Sequence, residues 1–545
     1  MYKTLGLVWL FIVFVIYAQP AWGLDDNNAT QFSALNGWDA FEVVTQNDNI
    51  AAISEVGYGS TASRGNYDGL GGYLNGNSLS IFLNHETAGA AISRVRVDVA
   101  AFKQALQSTV DGGITPFPGS FVTQMGYAYD KIYDGNYHAV TDPNPVATGT
   151  LGVAAYGNSN FDRFCSGTSY LPDGFGPGRG FVDPMYLTGE EVAGGKFYAI
   201  DPTTDALWEV PDLGVTRWEN AALVDTGNTT HTALILSADV AASPGDYIRL
   251  YVGEKGVDSN SDGAIDFLER NGLRGGTVYY FDPDGAASTT DLPDGLVTGT
   301  WNTSTVGALR ETKIEDIHTN PTDGTQLVFG AQNDGVYTID LNLQFAGGSL
   351  DTTSSSANIN QIDDDDTAPI GAPDNVTWSA NGKIYIQEDG DGNDMWEVNP
   401  DGLGRVQIAH ALSEPSGIFD ASDLLGYQPG SVMLTSVQGG GSSGGQLGVL
   451  ISPDARLSGD LDGDGFVGIT DTNVVLSNWN QSVPPGNAQA DPSGDGFVGI
   501  EDLNLVLGNW NAGTPPTVAV PEPSTLAMFM LSGFAIATRS RSCRR

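Results

Sequence analysis

The sequence predicts a mainly β chain, a β-propeller followed by a small α-helical calcium-binding module. Three observations carry this. First, the 545 residues include 71 glycines, 20 tyrosines, 22 phenylalanines and 10 tryptophans against 23 Lys and Arg, the balance of a turn-rich β protein. Second, a strand ending in an Asp or Asn turn recurs. It reads Phe197-Tyr-Ala-Ile-Asp201-Pro, Val278-Tyr-Tyr-Phe-Asp282-Pro, Val336-Tyr-Thr-Ile-Asp340 and Met395-Trp-Glu-Val-Asn399-Pro, with the acid or amide 81, 58 and 59 residues apart. Radial repetition of such units buries sheet faces and leaves few edges, which favours a propeller; a β-sandwich is the alternative. Third, an acidic loop near the C-terminus repeats with a period of 31 residues.

In chain order, residues 1–23 have the build of an export signal. Lys3 supplies the positive start, Leu5 to Ala18 the apolar core, and Ala21-Trp22-Gly23 a small-x-small cleavage site. A retained membrane helix is the other reading, for which the core is short. Cleavage would start the mature chain near Leu24, outside the cytoplasm. Acidic residues outnumber basic ones 66 to 23, a formal net charge of −43. Such a surface repels a phosphate backbone and excludes a nucleic-acid partner. The acid serves solubility, or supplies oxygen ligands for hard cations.

Residues 24–456 form the propeller domain, with one helix expected over Val97 to Leu106. Within it, residues 160–191 hold Cys165, a glycine-rich loop, and a short strand from Met185 to Leu187 that delivers Glu190 and Glu191. The chain's other cysteine, Cys543, leaves with the tail described below. A lone thiol in an oxidising compartment is inert, modified or a ligand. A small buried hydrophobe is its ordinary fate, whereas carboxylates arriving nearby favour a metal ligand. Further on, Asp258-Ser-Asn-Ser-Asp-Gly-Ala-Ile-Asp-Phe-Leu-Glu269 fits the twelve-residue calcium loop. Asp258, Asn260, Asp262, Asp266 and Glu269 offer oxygens, and Gly263 takes the sharp turn. This insertion accounts for the long first spacing of the strand repeat. Gln361 to Asp366 reads as a flexible acidic loop, and Asp389 to Asp394 as either a calcium loop or a hairpin turn.

Residues 457–512 carry the paired loops. Asp460, Asp462, Asp464 and Asp471 in the first, and Asp491, Ser493, Asp495 and Asp502 in the second, are the calcium ligands, each loop followed by a short amphipathic helix ending in Asn-Trp-Asn. Aspartate at the twelfth position and a helix only after the loop resemble the dockerin type I module. That resemblance implies a cohesin-like partner, met by some of Val474, Val475, Leu476, Leu505, Val506 and Leu507, with the rest forming the module's own core. Residues 513–545 hold Val520-Pro-Glu-Pro-Ser524, an apolar run from Leu526 to Ala537, and Arg539, Arg541, Arg544 and Arg545. This tail resembles the PEP-CTERM sorting signal, which implies transient membrane anchoring, cleavage by a sorting protease, and a cell-surface or extracellular destination.

Cys165-Ser-Gly-Thr with Thr188-Gly-Glu-Glu191 resembles a segment of the PhoX family of alkaline phosphatases. Asn84-His85-Glu86, Arg217-Trp218 before Ala221 to Asp225, Tyr251 to Lys255, Glu315-Asp316, and Pro373-Asp374-Asn375 before Ile384 to Gln387 follow the family's motifs in the same order, over roughly residues 40 to 440. The resemblance implies a propeller and a phosphate-ester substrate. It also implies iron held partly by Cys165, with calcium, and carboxylates from Glu86, Glu190, Glu191, Glu315, Asp316 and Asp374. Two departures stand out. Glu219-Asn220 replaces the family's His-Glu, leaving the carboxylate one position early, and Ala238-Asp239 replaces Glu-Asp. In a strand one position turns a side chain to the other face, so two acids that the resemblance implies are expected to be absent from the site. The sequence thus allows a metal-dependent phosphomonoesterase, a non-catalytic calcium-stabilised surface or matrix scaffold, or a dockerin-borne polysaccharide-degrading enzyme. The last needs a carboxylate pair that no stretch nominates.

Overall fold

The computed structural model describes residues 24, 28–55, 58, 65–110, 116–140, 161–285, 289–364, 369–390, 392–439 and 444–513. The export signal and the sorting tail lie outside them. The chain divides into two units, Met1–Ala455 and Arg456–Arg545.

Six blades make up the first unit, antiparallel except for the outermost strand of blade two, Lys131–Tyr133, which runs parallel to Ala206–Glu209. Their innermost strands are Tyr67–Asn75, Phe164–Tyr170, Trp218–Val224, Ile314–Thr319, Pro373–Trp378 and Pro415–Asp420. Each packs against the next, and the sixth against the first, so the ring closes. Blades three and four belong to one nine-stranded sheet, joined edge to edge where Leu296–Asn302 pairs with both Thr277–Pro283 and Ser356–Asp364. The N-terminal residues complete the ring. Phe32–Ala34 is the outermost strand of blade five, on Val406–Ala411, and Asp39–Thr45 is that of blade six, on Gln446–Ile451. This arrangement excludes the sandwich, in which two sheets share one core.

The apolar core lies between neighbouring blades. Phe82, Phe161 and Tyr198 fill the space between blades one and two, Leu187, Trp218 and Leu234 that between two and three, and Leu250, Phe329 and Tyr337 that between three and four. Strands buried on both faces have no polar face, as in His231–Ala238 (HTALILSA), where every residue is buried. Burying one such side chain contributes roughly 1.5–3 kcal/mol.

Three expectations change. Of the four recurring strand units, Phe197–Asp201, Gly335–Asn342 and Asp394–Val398 are third strands, whereas Thr277–Pro283 is the fourth strand of its blade. The long first spacing therefore reflects a change of strand as well as the 258–269 loop. Ser356–Asp364 is a strand in which Gln361, Asp363 and Asp364 of the expected flexible loop pair with Gly335–Asn342, while residues 365 and 366 lie outside the described ones. The helix spans Val99–Val110 and follows a strand, Ile92–Asp98.

In the second unit, two nine-residue helices, Ile469–Ser477 and Ile500–Gly508, pack on each other. Each follows its acidic loop. In both, the twelfth-position aspartate is buried and accepts backbone N–H groups across the loop: Asp471 from Leu461 and Gly468 at 2.7 Å each, Asp502 from Ser493 at 3.1 Å and Gly499 at 2.6 Å. Val475 and Val506 are fully buried in the module's own core, while Leu476 and Leu507 are about half exposed.

Candidate metal centre at one mouth of the channel

A backbone irregularity repeated in all six blades builds the site. Each inner strand shifts register against its neighbour just after its first residue, between Tyr67 and Leu70, Phe164 and Gly167, Trp218 and Ala221, Ile314 and Ile317, Pro373 and Val376, and Pro415 and Gly417. Such a bulge releases two residues from strict alternation in the first five blades, and Ser416 alone in the sixth, and re-aims them. The second residue of each inner strand is Asp68, Cys165, Glu219, Glu315, Asp374 or Ser416, and the first five line one cavity of about 240 Å³. A second tier comes from the residue directly after each blade's second strand: Glu86, Glu191, Asp239, Gln332, Asp389 and Gln438, all in the same lining. Residues just ahead of inner strands add Arg163, Lys313 and Glu414. Arg163 and Lys313 hold left-handed backbone, φ 50° and 49°, a conformation found at sites where the surroundings over-determine it.

Nine carboxylates thus face two cations, Arg163 and Lys313. Ligand atoms of Asp68, Glu86 and Cys165 lie within 4.8 Å of one another, as do those of Glu219, Glu315 and Asp374. Burial, reinforced by the neighbouring acids, pushes the carboxyls of Asp68, Glu219, Glu315 and Asp374 well above the usual range. Burial likewise raises Glu191 and Glu414 to about 7 each. The Cys165 thiol is raised too, by burial and then by Glu219, Asp68, Glu86 and Glu191, and it donates to Glu191 Oε2 at 3.4 Å. Asp239 Oδ1 is buried without a hydrogen bond, and Glu315 Oε1 has only Lys313 Nζ, at 3.4 Å. Buried oxygens left in this state fit cations better than protons.

The surroundings fix these side chains. Asn84 donates to the Cys165 carbonyl at 2.7 Å and to Thr188 Oγ1 at 2.9 Å, holding the bulge of blade two. Ser166 donates to Glu219 Oε1 at 2.5 Å and accepts from Asn375 at 2.7 Å. Arg163 and Arg217 each lie 3.4 Å from Glu191, and Gln438 bridges Asp68 and Glu86.

Of the acids and thiol expected at the site, the structure gathers Glu86, Cys165, Glu191, Glu315 and Asp374. Two others sit elsewhere. Glu190 accepts from the backbone N–H groups of Asp162 and Lys196 at 3.0 and 3.2 Å and from Tyr198 at 3.1 Å, so it braces a turn. Asp316 lies behind the mouth, taking Asn220 at 2.6 Å and the N–H groups of Ile317 and Val376. Conversely, Glu219 does line the cavity, because the bulge voids the alternation that was to turn it away, and Asp239 lines it from the end of its strand. Asp68, Asp389 and Glu414 join without having been singled out for it.

The 258–269 loop stands between the third and fourth strands of blade three. Glu269 is buried and accepts the N–H groups of Ser259 at 2.8 Å and Asp266 at 3.0 Å, while Asp258 accepts those of Asp262 and Gly263. Among the described residues no three of its acids come within 4.8 Å of one another, unlike Asp460, Asp462 and Asp464 in the second unit. Glu254 is exposed, and Lys255 ties down the glycine-rich loop through the carbonyls of Gly178 and Gly180, at 2.7 and 2.9 Å.

Residues 519–545 match the PEP-CTERM protein-sorting motif. The match implies export with a C-terminal sorting tail, consistent with an extracellular or cell-surface location. No curated protein matches the chain. Among solved structures, the Dos1 propeller is similar over 77% of this chain and 95% of its own, at 8% identity and a TM-score of 0.34. The Cps50 (Swd1) β-propeller domain of Myceliophteria thermophila is similar over 72% of this chain and 99% of its own, at 10% identity and a TM-score of 0.31. At such scores these likenesses carry no argument, and the ring rests on its own strand order. The chain is a mainly β, propeller-like protein bearing a sorting tail.

Proposed function

We propose that the acidic mouth is a polynuclear metal centre and that the protein is an exported, PhoX-like metal-dependent phosphomonoesterase. One observation carries the reading: acids from all six blades converge on about 240 Å³ with only two basic residues among them. Cys165, Asp68 and Glu86 would hold iron, since a thiolate adds a soft donor to carboxylates. Glu219, Glu315 and Asp374, all oxygen donors, suit calcium. Ions there supply neutralisation of charge on a transferring phosphoryl group and acidify bound water. The chain's own residues do the rest. Ser166 and Asn375 orient Glu219, and Asn84 orients Cys165. Arg163 and Lys313, once their carboxylates turn to metal, can grip the ester's phosphate oxygens.

The test is Cys165→Ser in the mature protein. Wild type should contain iron and calcium by elemental analysis and hydrolyse p-nitrophenyl phosphate. The variant should lose iron and activity together, by about 100-fold, and keep its fold. Wild-type protein that carries calcium alone and leaves the ester intact would leave the calcium-stabilised surface scaffold in its place.

The second unit, by the same proposal, is a dockerin-like module that calcium holds in shape, with Leu476 and Leu507 offered to a cohesin-like partner. Crowded carboxylates repel without a cation, so binding and folding are linked. EGTA should make residues 456–513 cleavable by a protease that spares them in calcium. An unchanged cleavage pattern would refute the calcium assignment.

A further inference from the structure

A second cavity, of about 360 Å³, occupies the other end of the same channel. It is built where the inner strands finish, around His318, Trp378 and Phe419, about four residues or roughly 13 Å along the strands from the acidic mouth. Between the two ends lies the layer of buried polar side chains already described, in which Asn220 pairs with Asp316 and Asn375 with Ser166. The chemistry here is the reverse of that at the acidic mouth. Tyr170, Phe175, Trp378 and Phe419 give it aromatic walls contributed by blades two, five and six.

Many of its polar groups are spent on protein partners, while Ser169 Oγ and Trp378 Nε1 are buried without one and Asp423 adds a second carboxylate to the lining. Ser379 Oγ donates to Asp420 Oδ2 at 2.6 Å, and Asp420 also accepts the N–H groups of Ser422 and Gly430. Thr319 Oγ1 donates to the Leu223 carbonyl at 2.6 Å, and the Tyr170 hydroxyl to that of Ala221 at 3.0 Å. His318 differs. Its Nδ1 accepts the backbone N–H of Trp378 at 3.1 Å, which leaves the ring proton on Nε2. Burial lowers its pKa to about 4, so the ring is neutral near pH 7 and acts as a donor without charge. Among the described residues no Lys or Arg lines this cavity, and Asp420 and Asp423 do, a balance that disfavours an anion such as phosphate.

We propose that this cavity binds an uncharged, planar aromatic molecule carrying a hydrogen-bond acceptor that takes the Nε2–H of His318. The volume falls within the range of small-molecule pockets, and a cavity walled by aromatic rings with a fixed neutral donor at His318 orients such a ligand. The site is independent of the metal centre and does not rest on the phosphatase reading.

The experiment titrates the full mature protein with 2-naphthol by calorimetry. Wild type should bind one equivalent with a dissociation constant on the order of 100 µM. Ala380→Trp places bulk at a partly exposed wall position that folding can tolerate, and His318→Leu removes the donor. Each should weaken binding at least about 10-fold, while 2-naphthalenesulfonate, whose charge would be buried, should not bind. Absence of saturable binding to wild type overturns the proposal. So does undiminished binding in Ala380→Trp, or sulfonate binding as tight as that of the naphthol.

Discussion

Stripped of divalent and higher-valent cations, the mature protein should melt at least about 10 °C below the loaded protein at pH 8, and it should gain stability on acidification. Ions held at a thousand times their dissociation constant stabilise by about 4 kcal/mol per site, and each kcal/mol moves the midpoint of a domain this large by about 2–4 °C. The pH dependence follows from the crowded mouth. Burial raises Glu191 and Glu414 from 4.5 to about 7, and raises Asp68, Glu219, Glu315 and Asp374 as well. The metal-free native state therefore binds more protons than the unfolded chain across that window. Its stability is fullest below about pH 4.5 and declines as pH rises through about 7. The loaded protein should respond in the opposite sense, because ligation needs deprotonated carboxylates and acid would release the ions. Melting curves at pH 5 and pH 8, with and without chelator, measure both effects. Superimposable curves, or a stripped protein more stable at pH 8 than at pH 5, would refute the metal centre.

Glu219→Gln should cost at least about 100-fold in metal affinity, whereas Glu190→Gln should leave metal content unchanged and lower stability by about 2 kcal/mol. The two acids are both buried, so burial does not separate them; their partners do. Glu219 faces the cavity beside Glu315 and Asp374, with Ser166 steadying one oxygen. Glu190 is spent on two backbone N–H groups and the Tyr198 hydroxyl, which its amide would satisfy only in part. Metal content after dialysis, set beside a denaturant midpoint for each variant, tells them apart. Metal loss in Glu190→Gln with retention in Glu219→Gln would invert the assignment of the site.

Strand content and blade repetition were legible because they rest on composition and short-range pattern. Five residues of the mouth were legible through motif order: Glu86, Cys165, Glu191, Glu315 and Asp374. What the sequence concealed was the bulge. Alternation counted from Trp218 turns Glu219 away from the channel, yet the register shift between Trp218 and Ala221 points it in. Asp68 was hidden in an apolar, glycine-rich run, Tyr67-Asp-Gly-Leu-Gly-Gly-Tyr73, where a lone acid reads as a turn. A usable signal did exist. Aligning the blades by their inner strands puts Asp68, Cys165, Glu219, Glu315 and Asp374 in one column, and Glu86, Glu191, Asp239 and Asp389 in another.

The strands nearest the N-terminus, Phe32–Ala34 and Asp39–Thr45, find their partners only at Val406–Ala411 and Gln446–Ile451. A chain emerging from the ribosome, or threading a translocation pore N-terminus first, therefore carries its two clasp strands unpaired until almost the whole ring has followed. Ring closure awaits those late strands, and the acidic mouth, lined from all six blades, is complete only once the sixth is in place. On the proposed metal-centre reading, the ions available in the compartment where the ring closes, not those of the cytosol, would decide what the mouth holds.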